Sequence, residues 1–356
     1  MAGNYRDLRL GSSVSLWKNC CGTIYTFCVP APKLITTLLS IFGIIRSYLR
    51  PHSQEASLKR LFCSMLTRSF WLLVMLMPHA GIAGQTIVAA VDEDIIADYQ
   101  LFIGARDPLQ IDYYGGVGAR RDVIEIVLLQ QALHLGGFKG SVVFRPENSY
   151  LRVLKLLTDG QVALSAALMW REDIKPYSDH LFKTRAVVKE GQFIAGLYTR
   201  ADNQKALHAN TLEKIQDLSA ASNSHWKADV NTLKSLGVKR IHYATYWVQI
   251  VRMVIANRAD MTLAPFQVNP DMKVMVDGLE LVPIPGIKVT LPGSRHWPVS
   301  KRHPQGEEIF NALARGIDEL EKRNIIQRAY EECGFFHPHV KDWVLINPPT
   351  KSPRPN

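Results

Sequence analysis

The body of this sequence is nearly empty of cysteine. Of five in the chain, Cys20, Cys21, Cys28 and Cys63 all precede residue 85, and only Cys333 follows it. A lone cysteine makes no internal disulfide, and no Cys pair has metal-ligand spacing. Runs of membrane-spanning length are missing as well: Leu34–Ile45 and Phe70–Met77 are apolar, but both fall short of the roughly 20 residues that cross a bilayer. Nor does one sign of charge dominate the body. The formal charge is +10, yet residues 1–84, with nine Lys or Arg and two Asp or Glu, carry +7 of it. The +3 left for residues 85–356 offers no footprint for a polyanion, so nucleic acid is not expected as a partner.

The usual catalytic signatures are also absent. There is no G-x-S-x-G, no H-E-x-x-H and no G-x-x-x-x-G-K-[ST]. Gly115-Gly116-Val117-Gly118 precedes a helical stretch but lacks the Lys-Ser/Thr of a phosphate loop. His296, His303, His337 and His339 come late, and His337-Pro338-His339 has no acidic or Cys neighbour to complete a metal site. No catalytic residue, metal or cofactor is therefore assigned, and an enzyme is not the reading.

What is present suits a two-domain globular protein: 356 residues, 47% hydrophobic and 21% charged. Met65–Gly84 (MLTRSFWLLVMLMPHAGIAG) has one positive residue, Arg68, then the apolar run, then Pro78 and small residues. Gly81 and Ala83 stand where a signal peptidase needs small side chains, so residues 65–84 read as an export signal and the destination as the periplasm. Residues 1–64 precede it, and the expectation is that translation begins at Met65. The Pro-rich tail, residues 348–356, reads as disordered.

From Gln85 onward, short apolar strands alternate with helical stretches. Leu101–Gly104 reads as the first strand, Asp122–Leu135 as a helix stopped by Gly136-Gly137, and Ser141–Arg145 as the second strand. Tyr150–Thr158 reads as a helix and Val162–Leu164 as a third strand. A second set follows: helix Thr211–Leu218, strand Lys239–Tyr243, helix Tyr246–Ala256, strands Met261–Leu263, Leu279–Pro283 and Ile287–Leu291, then helices Gly306–Glu321 and Ile325–Cys333. This order predicts two α/β lobes, each a mostly parallel sheet flanked by helices, with a ligand cleft between them. Lobe 1 is discontinuous, residues 85–197 and 287–347; lobe 2 is residues 198–286.

At Asp159-Gly160 and then Leu164–Phe182 (LSAALMWREDIKPYSDHLF) the chain resembles the signature of amino-acid-type periplasmic solute-binding proteins. In that family a short strand leads to an Arg and then to an aromatic-Ser-Asp segment; here these are Arg171 and Tyr177-Ser178-Asp179. Asn257-Arg258-Ala259-Asp260 resembles the family's second-lobe turn, and Pro298–Gly306 its C-terminal part. The likeness runs over about residues 98–345. It implies a type 2 bilobal periplasmic binding protein, a monomer that takes a small polar, carboxylate-bearing ligand on Arg171 and delivers it to an ABC-type permease of the inner membrane. The alternative is a sensory protein that presents its ligand to a membrane signalling receptor. The family's hydroxyl residues before the Arg are replaced by Ala166 and Leu168, and its second-lobe acidic residue falls at Pro265. Two contacts of an α-amino acid are thereby removed.

Strand ends supply the other candidates, because ligands of α/β sheets sit there. They are Arg106 and Asp107, with Tyr114, after the first strand; Ser149 and Tyr150 after the second, at a helix start; Trp170 beside Arg171; and Thr245 with Tyr246 in lobe 2. Hinges are expected near Tyr198 and Gly286.

Overall fold

The computed structural model describes residues 85–347. The export signal, the preceding extension and the C-terminal tail lie outside the described residues. The first strand, β1 (Thr86–Val91, TIVAAV), is followed directly by α1 (Glu93–Ile103). This corrects the expectation of a strand at Leu101–Gly104, which is the last turn of α1. Ile95, Tyr99, Phe102 and Ile103 are buried at helical spacing, while Leu101 lies on the solvent face. A four-residue apolar run has no period of its own, so only its neighbours decide between strand and helix. Asp92, Glu93 and Asp94 place negative charge at the positive end of this helix.

Helix α2 (Arg121–Leu135), strand β2 (Ser141–Pro146) and helix α3 (Tyr150–Thr158) follow as expected. Then come β3 (Leu164–Ser165), β4 (Met169–Trp170), the single turn α4 (Arg171–Ile174) and β5 (Leu181–Lys183). The next stretch contains β6 (Ile194–Thr199), α5 (Gln204–Leu207), α6 (Leu212–Gln216), β7 (Ser219–Ser222), α7 (Lys227–Ser235), β8 (Arg240–Tyr243), α8 (Trp247–Ile255) and β9 (Met261–Pro265). Strands β10 (Val274–Val276), β11 (Leu279–Pro283), β12 (Ile287–Thr290), β13 (Arg295–His296) and β14 (Pro298–Ser300) lead to α9 (Gly306–Lys322), α10 (Ile325–Glu332) and β15 (Val344–Leu345).

Two large sheets result. The first runs β2-β1-β3-β14-β5, the second β10-β11-β6-β9-β7-β8, with β12 joined to β6 and β15 to β12. Each has a parallel centre: β1 with β2 and β3, and β7 with β8 and β9. The parallel centres are flanked by antiparallel strands: β14 lies beside β3 and β5 in the first sheet, and β6 beside β9, β11 and β12 in the second. The architecture is thus two-lobed α/β, and β14, reached only after the whole second sheet, makes the first lobe discontinuous.

The chain crosses between the sheets after β5, in residues 184–193, and returns in residues 291–294. The crossings are tied to each other: Leu291 N–H donates to Phe193 O, and Arg295 N–H to Val188 O. They differ from the expected hinge points, since Tyr198 lies within β6 and Gly286 immediately precedes β12. Strands β12 and β15 likewise belong to the second sheet, although residues 287–347 were assigned to lobe 1. A third crossing therefore lies between α10 and β15.

Packing in the first lobe is closest where α2 meets α9. A Cβ on Gly136 would stand 1.8 Å from Ala312 O, and one on Gly316 1.8 Å from Ala132 O. The two helices touch backbone to backbone through reciprocal small residues. Strand β7 (SAAS) escaped the sequence reading because it carries no β-branched residue; all four positions are buried. It is pinned by Asp260, whose carboxylate accepts from both the N–H and the Oγ–H of Ser219, each at 2.7 Å.

Candidate functional site

Between the two sheets lies a cavity of about 230 Å³, lined from both lobes. The first lobe contributes the C-terminal end of β1, the start of α1, the head of α2, Tyr150 of α3 and the β3–β4 segment. The second contributes Trp226 and Asp229 at the start of α7, Trp247 at the start of α8, and parts of β9 and β10.

Three arginines line the first-lobe wall. Arg120 meets Asp94 at 2.8 Å, Asp122 at 2.9 Å and Asp98 at 3.2 Å. Arg121 meets Glu125 at 2.6 Å and Asp122 at 3.4 Å. Glu125 is fully buried in α2, and its second oxygen accepts from Leu168 N–H at 2.8 Å and lies 4.0 Å from Arg295. Burial alone would raise the Asp122 carboxyl, but Arg120 and Arg121 hold it below the ordinary aspartate value.

Arg295 opens β13, immediately after the return crossing. Its guanidinium donates to Leu168 O and sits over the Trp170 ring at 5.0 Å and the Phe193 ring at 5.5 Å. Burial, and then Arg121 beside it, lower its proton affinity from the ordinary arginine value. Among the described residues, no acceptor reaches Nε of Arg295 or Nε of Arg121, and both atoms are buried. A buried N–H without a partner costs about 1–3 kcal/mol, so an acceptor from a ligand would be welcome at this wall.

Two carboxylates face the cavity without a cation at ion-pair distance among the described residues. Asp92 immediately follows β1, as the N-cap of α1; burial, then Asp94 and Asp122, push its carboxyl up to about 7. Asp229 stands in the first turn of α7, where burial pushes it up to about 6 against the attraction of Arg295 and Arg121. Tyr150 is half-buried. Its hydroxyl donates to Asp173 at 2.8 Å, and burial and Asp173 raise it well above the ordinary phenol. Asp173 in turn meets Lys227 of α7 at 3.6 Å, an ion pair that joins the two lobes.

Of the residues expected from sequence, Tyr150 and Trp170 line this cavity. The others lie outside its lining. Arg171 is half-exposed and paired with Glu172 at 2.9 Å, because the one-turn helix α4 directs it to solvent. Arg106 folds back on α1, donating to Phe102 O and Ile103 O, and Asp107 caps the short turn Pro108–Gln110. With the first strand at Thr86–Val91, these two follow a helix and not a strand end. Tyr114 is buried and donates to Gln131 at 2.8 Å. Ser149 precedes α3 without a side-chain cap bond, and Thr245 and Tyr246 are exposed at the head of α8.

The sequence reading missed Asp92, Arg120, Arg121, Asp229 and Arg295. Asp92 would have been found had the run TIVAAV been read as the first strand. Arg120 and Arg121 immediately follow the Gly-rich segment that was weighed only as a phosphate loop. Arg295 stands in a two-residue strand too short to show a pattern of its own.

No family model matches the chain, and neither does any curated protein. Solved structures do resemble it. An ancestral arginine-binding protein bound to arginine is 12% identical, covering 70% of this chain and 97% of its own, with a TM-score of 0.44. The periplasmic VFT2 domain of BvgS from Bordetella pertussis is 14% identical over 74% of this chain and 96% of its own, TM-score 0.47. An amino acid ABC transporter substrate-binding protein from Streptococcus pneumoniae bound to L-arginine is 11% identical over 70% and 93%, TM-score 0.46.

Proposed function

We propose that this protein is an exported solute-binding protein that captures a small polar ligand between its two lobes and delivers it to an ABC-type permease of the inner membrane. The observation that carries the reading is the cavity itself, a largely apolar and aromatic space with a few charged groups, walled from both lobes. Ligand contacts made simultaneously to both walls favour the closed arrangement over an open one, and the closed surface is what a membrane partner would recognise. The paired crossings at residues 184–193 and 291–294 are the natural axis for that motion.

Arg295 and Arg121 take the role first expected of Arg171. Their free Nε–H groups offer donors to an acceptor atom of the ligand, and Trp170 and Phe193 fix the Arg295 plane. The reading assigns this site to capture, with no bond made or broken. Thermal unfolding of the full chain against amino acids, amines, organic acids, short peptides and sugars tests it. A ligand that raises the midpoint in the intact protein, and fails to do so in Arg295→Ala, is the expected result. A panel without any such ligand would reject the reading.

A further inference from the structure

The cavity's ionic groups do not balance. The three guanidiniums of Arg120, Arg121 and Arg295 are met by four carboxylates, those of Asp94, Asp98, Asp122 and Glu125. Asp92 and Asp229 are then left over, one from each lobe, both lining the cavity. Lys227, two residues before Asp229 on α7, is engaged with Asp173 and largely exposed. Beside Asp229 in the second-lobe wall are Trp226 and Trp247, ring centroids 6.3 Å apart, whose faces attract cations.

Building on the solute-binding reading, we infer that the ligand is a small organic cation, an ammonium or guanidinium, held between Asp92 of the first lobe and Asp229 of the second with Trp226 and Trp247 beside it. An acceptor atom elsewhere on the same ligand meets the free Nε–H of Arg295, a side chain nine-tenths buried. The charge surplus selects against anions: a carboxylate brought to Arg295 alone would face two leftover negative groups, and only a positive group on the same molecule offsets them. Two carboxylates from opposite lobes also give a cation contacts that exist only when the lobes close, which couples recognition to closure.

The raised carboxyls agree with this arrangement. Asp92 is faced by Asp94 of α1, Asp122 and Arg120 at the head of α2, and Glu147 after β2; Asp229 is faced by Arg295, Arg121 and Asp173. A bound cation favours the ionised form of both groups and displaces the protons they still hold. Affinity should therefore rise with pH through about 6 and about 7.

The test is titration calorimetry and thermal unfolding of the full chain with a panel of amines and guanidines, agmatine and tyramine among them, matched to anionic and neutral analogues such as succinate and glucose. Cationic probes should bind, more tightly as the pH rises. Asp92→Asn and Asp229→Asn should each weaken them by at least about tenfold. Both variants should melt no lower than the parent without ligand, which separates a lost contact from a lost fold. Binding by anionic or neutral probes alone, unchanged in the two variants, would overturn the cation assignment and leave the solute-binding reading standing. Equal weakening of cationic and neutral probes by Asp229→Asn would also overturn it, because Asp229 would then act by closing onto Arg295. Silence across the whole panel would overturn both.

Discussion

The two walls of the cavity are built on opposite plans. The first-lobe wall is dominated by an ion network that the protein itself supplies: Arg120 and Arg121 head α2 and are tied to Asp94, Asp98, Asp122 and Glu125, and Asp92 with the Nε–H groups of Arg121 and Arg295 are what it leaves over. The second-lobe wall is sparse in charge, with two tryptophans and one carboxylate that meets no cation at contact distance among the described residues. A network satisfied internally resists movement and holds its donors in place, whereas groups left unsatisfied are available to a ligand. The contrast assigns rigidity to the paired groups of the first lobe and discrimination to the groups left over on both walls.

The comparison breaks most severely at Glu125. It is fully buried, bonds Arg121 and Leu168 N–H, and lies near Arg295. Glu125→Ala strands two buried guanidiniums and should cost about 3–5 kcal/mol in urea unfolding. A cost below about 1 kcal/mol would mean that the network is not what stiffens the wall. Next comes the backbone contact behind it. Gly316→Val drives a side chain into Ala132 O and should cost about 2 kcal/mol, read as a lowered melting midpoint.

The unsatisfied carboxylates make a prediction with a sign. Their folded values, about 7 and about 6, lie above the ordinary 3.8, so the folded protein holds protons that the unfolded chain has released. The stabilisation from this source is complete below about 3.8 and is lost as the pH rises through about 6 and about 7. Without ligand, Asp92→Asn should therefore raise the midpoint more at about pH 7.5 than at about pH 5. Equal effects at both would remove the assignment of Asp92 as an under-paired group.

On the second wall, Trp247→Ala should reduce ligand affinity several-fold while leaving the α2–α9 packing untouched. Calorimetry set beside unfolding separates the two. The smallest effect belongs to Lys227, whose exposed ammonium meets Asp173 across the lobes at 3.6 Å. Because an exposed ion pair is worth about 1 kcal/mol or less, Lys227→Ala should shift the balance between open and closed forms by no more than about fivefold, measured by small-angle scattering.

Legibility in the sequence followed local pattern. Helices with strong period and clear ends, such as Tyr150–Thr158, were read to the residue, as was strand Leu279–Pro283. Short apolar segments without period were not. Leu101–Gly104 went to the wrong class, and the small-residue strand Ser219–Ser222 passed unseen because its burial comes from neighbours and not from its own side chains. Of the residues proposed from strand ends, Tyr150 and Trp170 line the cavity. Arg171 was chosen on family resemblance, yet its place in a one-turn helix points it outward.

The sequence by itself determined two α/β halves, the absence of a polyanion-binding charge excess in the body, and the alternation that places a cleft between sheets. Those follow from composition and period, which each segment carries locally. Only the tertiary structure decided which charged groups meet. Arg121 and Glu125 share one helix, but Arg295 and Asp229 come from segments far away in the chain, and whether a carboxylate is paired or left over depends on distances between elements that no local pattern encodes.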